Sequence, residues 1–186
     1  VKIISHGCVA PYGHCNDENL PTMIKGFSKL IFHPSSRVDS SFVDNLVADD
    51  KLCEYLQKND ILLLVHGDKE EYNNLSDNIR FISGFLPIKV YQAIFMKADI
   101  ILLVYPSTFQ NQVSGVSFEC VTNRKNILVK DHPALTYCRD FYNYDPLFKN
   151  QEELLYKIMQ LTTDFSTCRC CVSVDTLIPN YKKIFN

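Results

Sequence analysis

The chain has 186 residues, of which 46% are hydrophobic, 12% aromatic and 22% charged, and 19 basic residues face 21 acidic ones for a net charge of −2. This length suits one domain, or one and a half small ones; the apolar content excludes disorder, and the charge balance argues against a general nucleic-acid binder. The longest apolar runs, 61–65 and 100–104, are far shorter than the ~20 residues a membrane-spanning helix needs and suit buried strands.

In chain order, residues 2–5 read as a short strand ending in His6-Gly7, and 8–20 as a polar loop. Residues 29–33 form a strand closed by Pro34. A helix capped by Ser40 or Ser41 is expected to run to about Lys58, with Phe42, Val43, Leu46, Val47, Leu52, Tyr55 and Leu56 at helical spacing. Continuous apolar strands follow at 61–66, 79–83 and 100–105. A helix with Tyr91, Ile94, Phe95 and Ala98 inward separates the last two. Helix 115–123, strand 126–130, a weak helix at 134–141, a short edge strand at 147–148 and helices at 152–161 and 175–185 complete the pattern. Alternating strands and helices with unbroken apolar strands predict an α/β fold, a Rossmann-like, doubly wound parallel sheet. Ligands on such sheets sit at the carboxyl ends of the strands.

Eight cysteines stand at irregular positions. Cys53 and Cys120 fall among apolar neighbours in expected helices, as small buried hydrophobes do. We expect reduced thiols and a cytoplasmic setting. Cys168-Arg169-Cys170-Cys171 has metal-like spacing but lacks a regularly spaced second ligand pair, so no metal is expected.

Four loops at the expected ligand edge carry candidate chemistry. Ser114 and Gly115 begin a helix, where unpaired amides bind anions. Glu119, one turn on, offers a carboxylate that can accept two hydroxyls of a ribose diol. Arg37, in His33-Pro34-Ser35-Ser36-Arg37, suits phosphate oxygens through its planar fork. The turns His66-Gly67-Asp68 and Gly84-Phe85-Leu86-Pro87 lie at the same edge, and Phe85 and Leu86 could flank a planar base. Each has a plainer alternative: a solvated glutamate, an arginine paired with Asp39, a core phenylalanine. Walker A, G-x-G-x-x-G and G-x-S-x-G motifs are absent from the sequence.

Several segments together resemble the C-terminal, donor-binding domain of GT-B retaining glycosyltransferases of the group 1 type (family 4). Asp60-Ile-Leu-Leu-Leu-Val-His-Gly-Asp is similar to the family strand ending in a Gly-Asp or Gly-x-Gly turn. Asn78-Ile-Arg-Phe-Ile-Ser-Gly-Phe-Leu-Pro resembles its N-V-x-F-x-G-x-x-P segment. Residues 90–98 followed by Asp99-Ile-Ile-Leu-Leu-Val-Tyr-Pro-Ser resemble L-Y-x-x-A-D-x-x-x-x-P-S. Residues 115–119 and then Asn126-Ile-Leu-Val resemble the G-x-x-x-x-E-A-x-x-x-G-x-P-V-I segment, and Ile4-Ser5-His6-Gly7 is similar to I-P-H-G. The likeness runs from residue 29 to 161 and on to 185.

The resemblance implies one half of a GT-B fold: residues 1–28 as linker and remnant of an N-terminal acceptor domain, and 29–186 as the nucleotide-sugar-binding domain. It implies that Glu119 holds the ribose hydroxyls, and that the amides of Val113, Ser114 and Gly115, with Val116 beside them, hold phosphates and sugar. It further implies that Arg37 neutralises the diphosphate and that the base packs by Phe85, Leu86 and the Gly67 turn. Asn111 stands where the family's first glutamate would be, in an Asn-Gln-x-Ser-Gly version of the loop; it and Arg37 are the residues assigned to the chemistry. Phe42 stands near the place of the expected lysine, and Asn123-Arg124-Lys125 replaces the usual small-Gly-Pro bend.

The expected reaction is hexosyl transfer from a nucleoside diphosphate sugar, chiefly a UDP-sugar, to a glycan or lipid-linked acceptor in polysaccharide biosynthesis. No metal or other cofactor is expected. The acceptor domain is the expected partner, with peripheral attachment to the inner membrane face through it, and without it the chain is expected to bind donor and not turn over. The alternative is a catalytically degenerate nucleotide-binding or scaffold module of the same fold. A receiver domain of flavodoxin type, the third reading, would need clustered aspartates at the first strand end, where His33-Pro34-Ser35 stands.

Overall fold

The computed structural model describes residues 11–13, 15–35, 37–74, 76–109, 113–162 and 170–171. The strand expected at 2–5 and the helix expected at 175–185 lie outside them, as do Asn111 and Cys168.

Among the described residues, six strands form one sheet: β1 (Lys29–His33), β2 (Ile61–His66), β3 (Ile79–Ile82), β4 (Ile100–Leu103), β5 (Asn126–Lys130) and β6 (Leu147–Phe148). All five neighbouring pairs are parallel, in the order β3-β2-β1-β4-β5-β6. This is the doubly wound, Rossmann-like α/β arrangement the apolar strands implied. The chain builds outward from β1 to β3, crosses back and builds the other way, so the order reverses between β1 and β4. A crevice opens at such a reversal, outside the carboxyl ends of the strands.

The α-helices among the described residues cover the sheet: α1 (Ser40–Val47), α2 (Asp50–Lys58), α3 (Ile88–Lys97), α4 (Gly115–Thr122) and α5 (Gln151–Thr162). Successive strand side chains point to opposite faces, so each strand feeds two cores. On one face Phe32, Leu62, Leu64, Ile101 and Ile127 pack with Ile94 and Phe95 of α3 and Val121 of α4. On the other, Ile31, Leu63, Val65, Leu102 and Leu128 pack with Leu46, Leu52, Leu56, Leu154 and Ile158 of α1, α2 and α5. Residues before β1 join the first core: Ile24 is buried there, and Tyr12 meets Phe95 edge-on at 5.5 Å.

Three sequence expectations are corrected. The single helix to Lys58 is two helices, because Asp49 accepts the Leu52 amide at 3.1 Å and starts a second N-terminus after Ala48. Asp39, rather than Ser40 or Ser41, caps α1, accepting the Phe42 amide at 3.2 Å; Asp satisfies an otherwise orphaned helix donor. The weak helix at 134–141 is a 3-10 segment, Pro133–Phe141, begun by His132, whose Nδ1 accepts the Ala134 amide. In addition, β4 ends at Leu103, and the Val104 carbonyl is taken by the Asp39 amide at 3.0 Å. After α4, where the family pattern has glycine, Arg124 adopts a left-handed φ of 54°, and its amide donates to the Val121 carbonyl at 3.2 Å. That conformation costs a side-chain-bearing residue about 1 kcal/mol.

The cap at Asp49 fixes the sign of a test. Asp49→Ala loses about 1 kcal/mol in urea denaturation if Asp49 caps α2. In an unbroken helix, alanine would instead raise stability.

Candidate functional site

The strands deliver their loops to the reversal point, and a cleft of about 580 Å³ opens there. Its walls are Pro34 and Ser35 after β1, His66, Gly67 and Asp68 after β2, Gly84, Phe85 and Leu86 after β3, Tyr91 of α3 and Val116 of α4. The volume lies within the usual range for small-molecule sites. Four of the sequence-assigned residues meet in it: Gly67, Phe85, Leu86 and Val116.

Phe85 is 90% exposed and therefore not a core residue. A fully exposed aromatic at a cleft wall offers an unoccupied face. Gly84 positions it with a left-handed φ of 73°, which glycine adopts without steric cost. Ile88 and Val113 are also exposed apolar residues, on the starts of α3 and of the α4 loop.

The α4 start is built from hydroxyls. Ser114 caps the helix, its Oγ accepting the Ser117 amide at 3.3 Å. The Ser114 amide donates to the Tyr137 hydroxyl at 3.2 Å, and the Tyr105 hydroxyl sits 2.9 Å from Ser114 Oγ. Ser117 Oγ stands 2.9 Å from the Tyr137 hydroxyl. Burial pushes the Tyr137 phenol up to about 12, so it stays protonated. With Ser114 and Ser117 engaged internally, the amides of Gly115 and Val116 are the first-turn donors that helix geometry leaves without an intrahelical acceptor. A methyl group placed on Gly115 would meet no atom within 4 Å, so the helix start faces open space.

Glu119 is half-buried and stands outside the set of cleft-lining residues. Its Oε2 accepts the Tyr91 hydroxyl at 2.7 Å, so it reaches the cleft through Tyr91. Burial, reinforced by the Glu119 charge and this hydrogen bond, raises the Tyr91 phenol far above its ordinary value. The hydroxyl is the donor in this pair at any working pH.

Arg37 is exposed, two residues beyond the cleft wall, and its amide donates to Ser35 Oγ at 3.1 Å. Asp39, its alternative partner, is engaged elsewhere. It accepts from Lys130, from Ser41 and from the Phe42 amide, and although burial alone would raise its carboxyl, these bonds hold it below the usual range. Lys130 comes from the end of β5 and lies 5.0 Å from the Phe42 ring centroid. A lysine thus stands beside Phe42 after all, delivered by a different strand, with its charge engaged by Asp39.

His33 ends β1 beneath the cleft loops. It is 1% exposed, and its Nδ1 lies 2.7 Å from the Leu102 carbonyl, which fixes the hydrogen on Nδ1. Nε2 has no hydrogen-bond partner among the described residues. Burial lowers its pKa to about 4. Sequence reasoning placed His66 in a turn at the ligand edge without giving its side chain a role, and missed Tyr91, Tyr105, Tyr137 and Lys130 as site-shaping residues. Of these four, Tyr91 carried a signal, its inward place in the α3 pattern; the others meet only through strand order.

No group of three or more metal-ligating side chains occurs among the described residues, and none of the six described cysteines is in a disulfide. No helix among them is long and apolar enough to cross a membrane.

No protein-family model matches the chain, and no curated protein is similar to it in sequence. Solved structures are similar to it. The C-terminal domain of a glycosyl transferase group 1 family protein (LpcC) from Francisella tularensis superposes with a TM-score of 0.60 at 15% identity, over 92% of this chain and 95% of that one. The chain has the fold of that domain. TarM gives 0.57 at 13% identity over 97% of this chain, and a UDP-forming α,α-trehalose-phosphate synthase from Burkholderia xenovorans gives 0.52 at 12% over 76%. The chain spans 38% of each of these last two. At such identities the likeness establishes the fold: one half of a GT-B arrangement.

The His33 environment predicts a pH dependence. The folded state disfavours the protonated ring, so stability is full above about pH 6.5 and falls as pH drops toward 4. Urea denaturation should show a loss of roughly 2 to 3 kcal/mol between pH 6.5 and 4.5. His33→Asn should flatten that slope, and an unchanged slope in the variant would contradict the assignment.

Proposed function

We propose that the chain is the donor-binding domain of a retaining glycosyltransferase, which transfers a hexosyl group from a nucleoside diphosphate sugar to a glycan or lipid-linked acceptor. A UDP-sugar is the first candidate donor. The observation that carries this reading is the composition of the cleft's two sides. An exposed aromatic, Phe85, stands on one side, and a helix start with the Tyr91–Glu119 pair stands on the other. An aromatic face suits a planar base. A carboxylate with a phenol suits a ribose diol, which can both donate and accept. The helix start, with Gly115 open to solvent, suits a diphosphate.

In this reading the Gly115 and Val116 amides stabilise the charge that develops on the leaving diphosphate, with Arg37 reaching in from the loop after β1. Oriented amides stabilise developing charge without a metal ion, and no cofactor is invoked. Asn111 would hydrogen-bond a sugar hydroxyl and cannot act as a carboxylate. The acceptor site belongs to a second domain, in keeping with the 38% of TarM that the chain spans.

A second reading, a nucleotide-binding module without turnover, is favoured by one observation. Asp39 engages the lysine beside Phe42 and so reduces the positive charge available there.

Two substitutions test the site. Phe85→Ala should weaken binding of UDP about five-fold or more, the scale of one lost base–aromatic stack, while stability stays within about 0.5 kcal/mol because the side chain is exposed. Glu119→Ala should weaken UDP binding about ten-fold with the fold retained by circular dichroism, as expected for loss of charge-assisted hydrogen bonds. UDP affinity equal to the unmodified chain in both variants would overturn the assignment.

A further inference from the structure

His66 closes β2 between the two loops that make opposite walls of the cleft. Its Nδ1 lies 3.1 Å from the Pro34 carbonyl, on the loop after β1. Its Nε2 lies 2.8 Å from the Gly84 carbonyl, on the loop after β3. Both partners are carbonyl oxygens, and carbonyls only accept. A neutral imidazole has one N–H and one bare lone pair, so it satisfies one partner and sets its lone pair against the other. The imidazolium has an N–H for each. The bridge is therefore complete only with hydrogen on both nitrogens.

The two carbonyls belong to the walls. Pro34 and Ser35 form one side, and Gly84 carries Phe85 and Leu86 on the other. The second loop is anchored from behind as well: Glu70 Oε1 accepts Ser83 Oγ at 2.7 Å and the Ser83 amide at 3.0 Å. Its cleft side is held by His66. Among the described residues lining the cleft, His66 alone can carry a positive charge, and Asp68 alone a negative one.

We propose that His66 is a positioning residue of the nucleotide cleft. Its ring ties the Gly84–Phe85 turn to the Pro34–Ser35 loop and so sets how the walls stand about a nucleoside diphosphate. Without the bridge the turn that carries Phe85 loses its tie on the cleft side, and nucleotide affinity falls. This deepens the donor-domain reading and rests on it.

The test is calorimetric titration with UDP of the unmodified chain, of His66→Ala, of Phe85→Ala and of the double variant, with urea denaturation alongside to show that each is folded. His66→Ala should bind UDP about five-fold more weakly, the scale of one net hydrogen bond. His66→Gln, which can reach one carbonyl, should recover part of that loss. Because the ring acts by holding the Phe85 turn, Phe85→Ala should cost less in the His66→Ala background than alone. Unchanged affinity in His66→Ala, or losses that simply add in the double variant, overturns the role of His66 and leaves the donor-domain reading standing. No binding of UDP, GDP or ADP to the unmodified chain overturns both.

Discussion

The parallel seating of β1 between β2 and β4 sets the geometry of the ligand edge. β1 pairs with β2 along its whole length, from Lys29 opposite Ile61 to His33 opposite Val65, and with β4 through Ile31 and Phe32. A strand flanked on both edges and covered on both faces buries its side chains on either side, so its interior, Leu30-Ile31-Phe32, is apolar. The winding direction reverses at its edge with β4. Strand ends that would otherwise be closed by a crossover are open there, and the loops after β1, β2 and β3 converge with the starts of α3 and α4. His33 marks the cost of that arrangement: a buried ring tied across the reversal to Leu102, with one nitrogen unpartnered among the described residues.

The surrounding electrostatics are restrained. Lys130 is matched by Asp39 and Lys69 by Asp44. Cations that are already engaged contribute little net field. In the donor-domain reading, anion recognition falls to the helix-start amides, which stay oriented, with Arg37 reaching in from the loop after β1. The hydroxyl cluster of Ser114, Ser117, Tyr105 and Tyr137 holds the helix start in place from the interior. Preorganised donors of this kind need no rearrangement when charge appears.

The fold was legible because its signal is local. Runs such as Ile61-Leu-Leu-Leu-Val and Ile100-Ile-Leu-Leu-Val state by themselves that they are buried on both faces. The break at Ala48-Asp49 was hidden because apolar spacing continues across it, and only the acceptance of the Leu52 amide by Asp49 reveals a second start. The site was half legible. Gly67, Phe85, Leu86 and Val116 sit in strand-end turns, which parallel topology sends to one edge. Glu119 shows the limit: its place on α4 could be read, but its pairing with Tyr91 depends on two helices lying side by side. Lys130 and His66 act through partners 91 and 32 or fewer residues away in sequence, contacts set by strand order and beyond the reach of spacing rules.

The measurement that bears most directly on the donor-domain account is calorimetric titration of the chain with UDP, GDP and ADP, first without metal and then with magnesium. The account predicts that one nucleotide binds with a single site and that its affinity is the same with and without magnesium. Binding that appears only with magnesium, or no binding of any of the three, would contradict it.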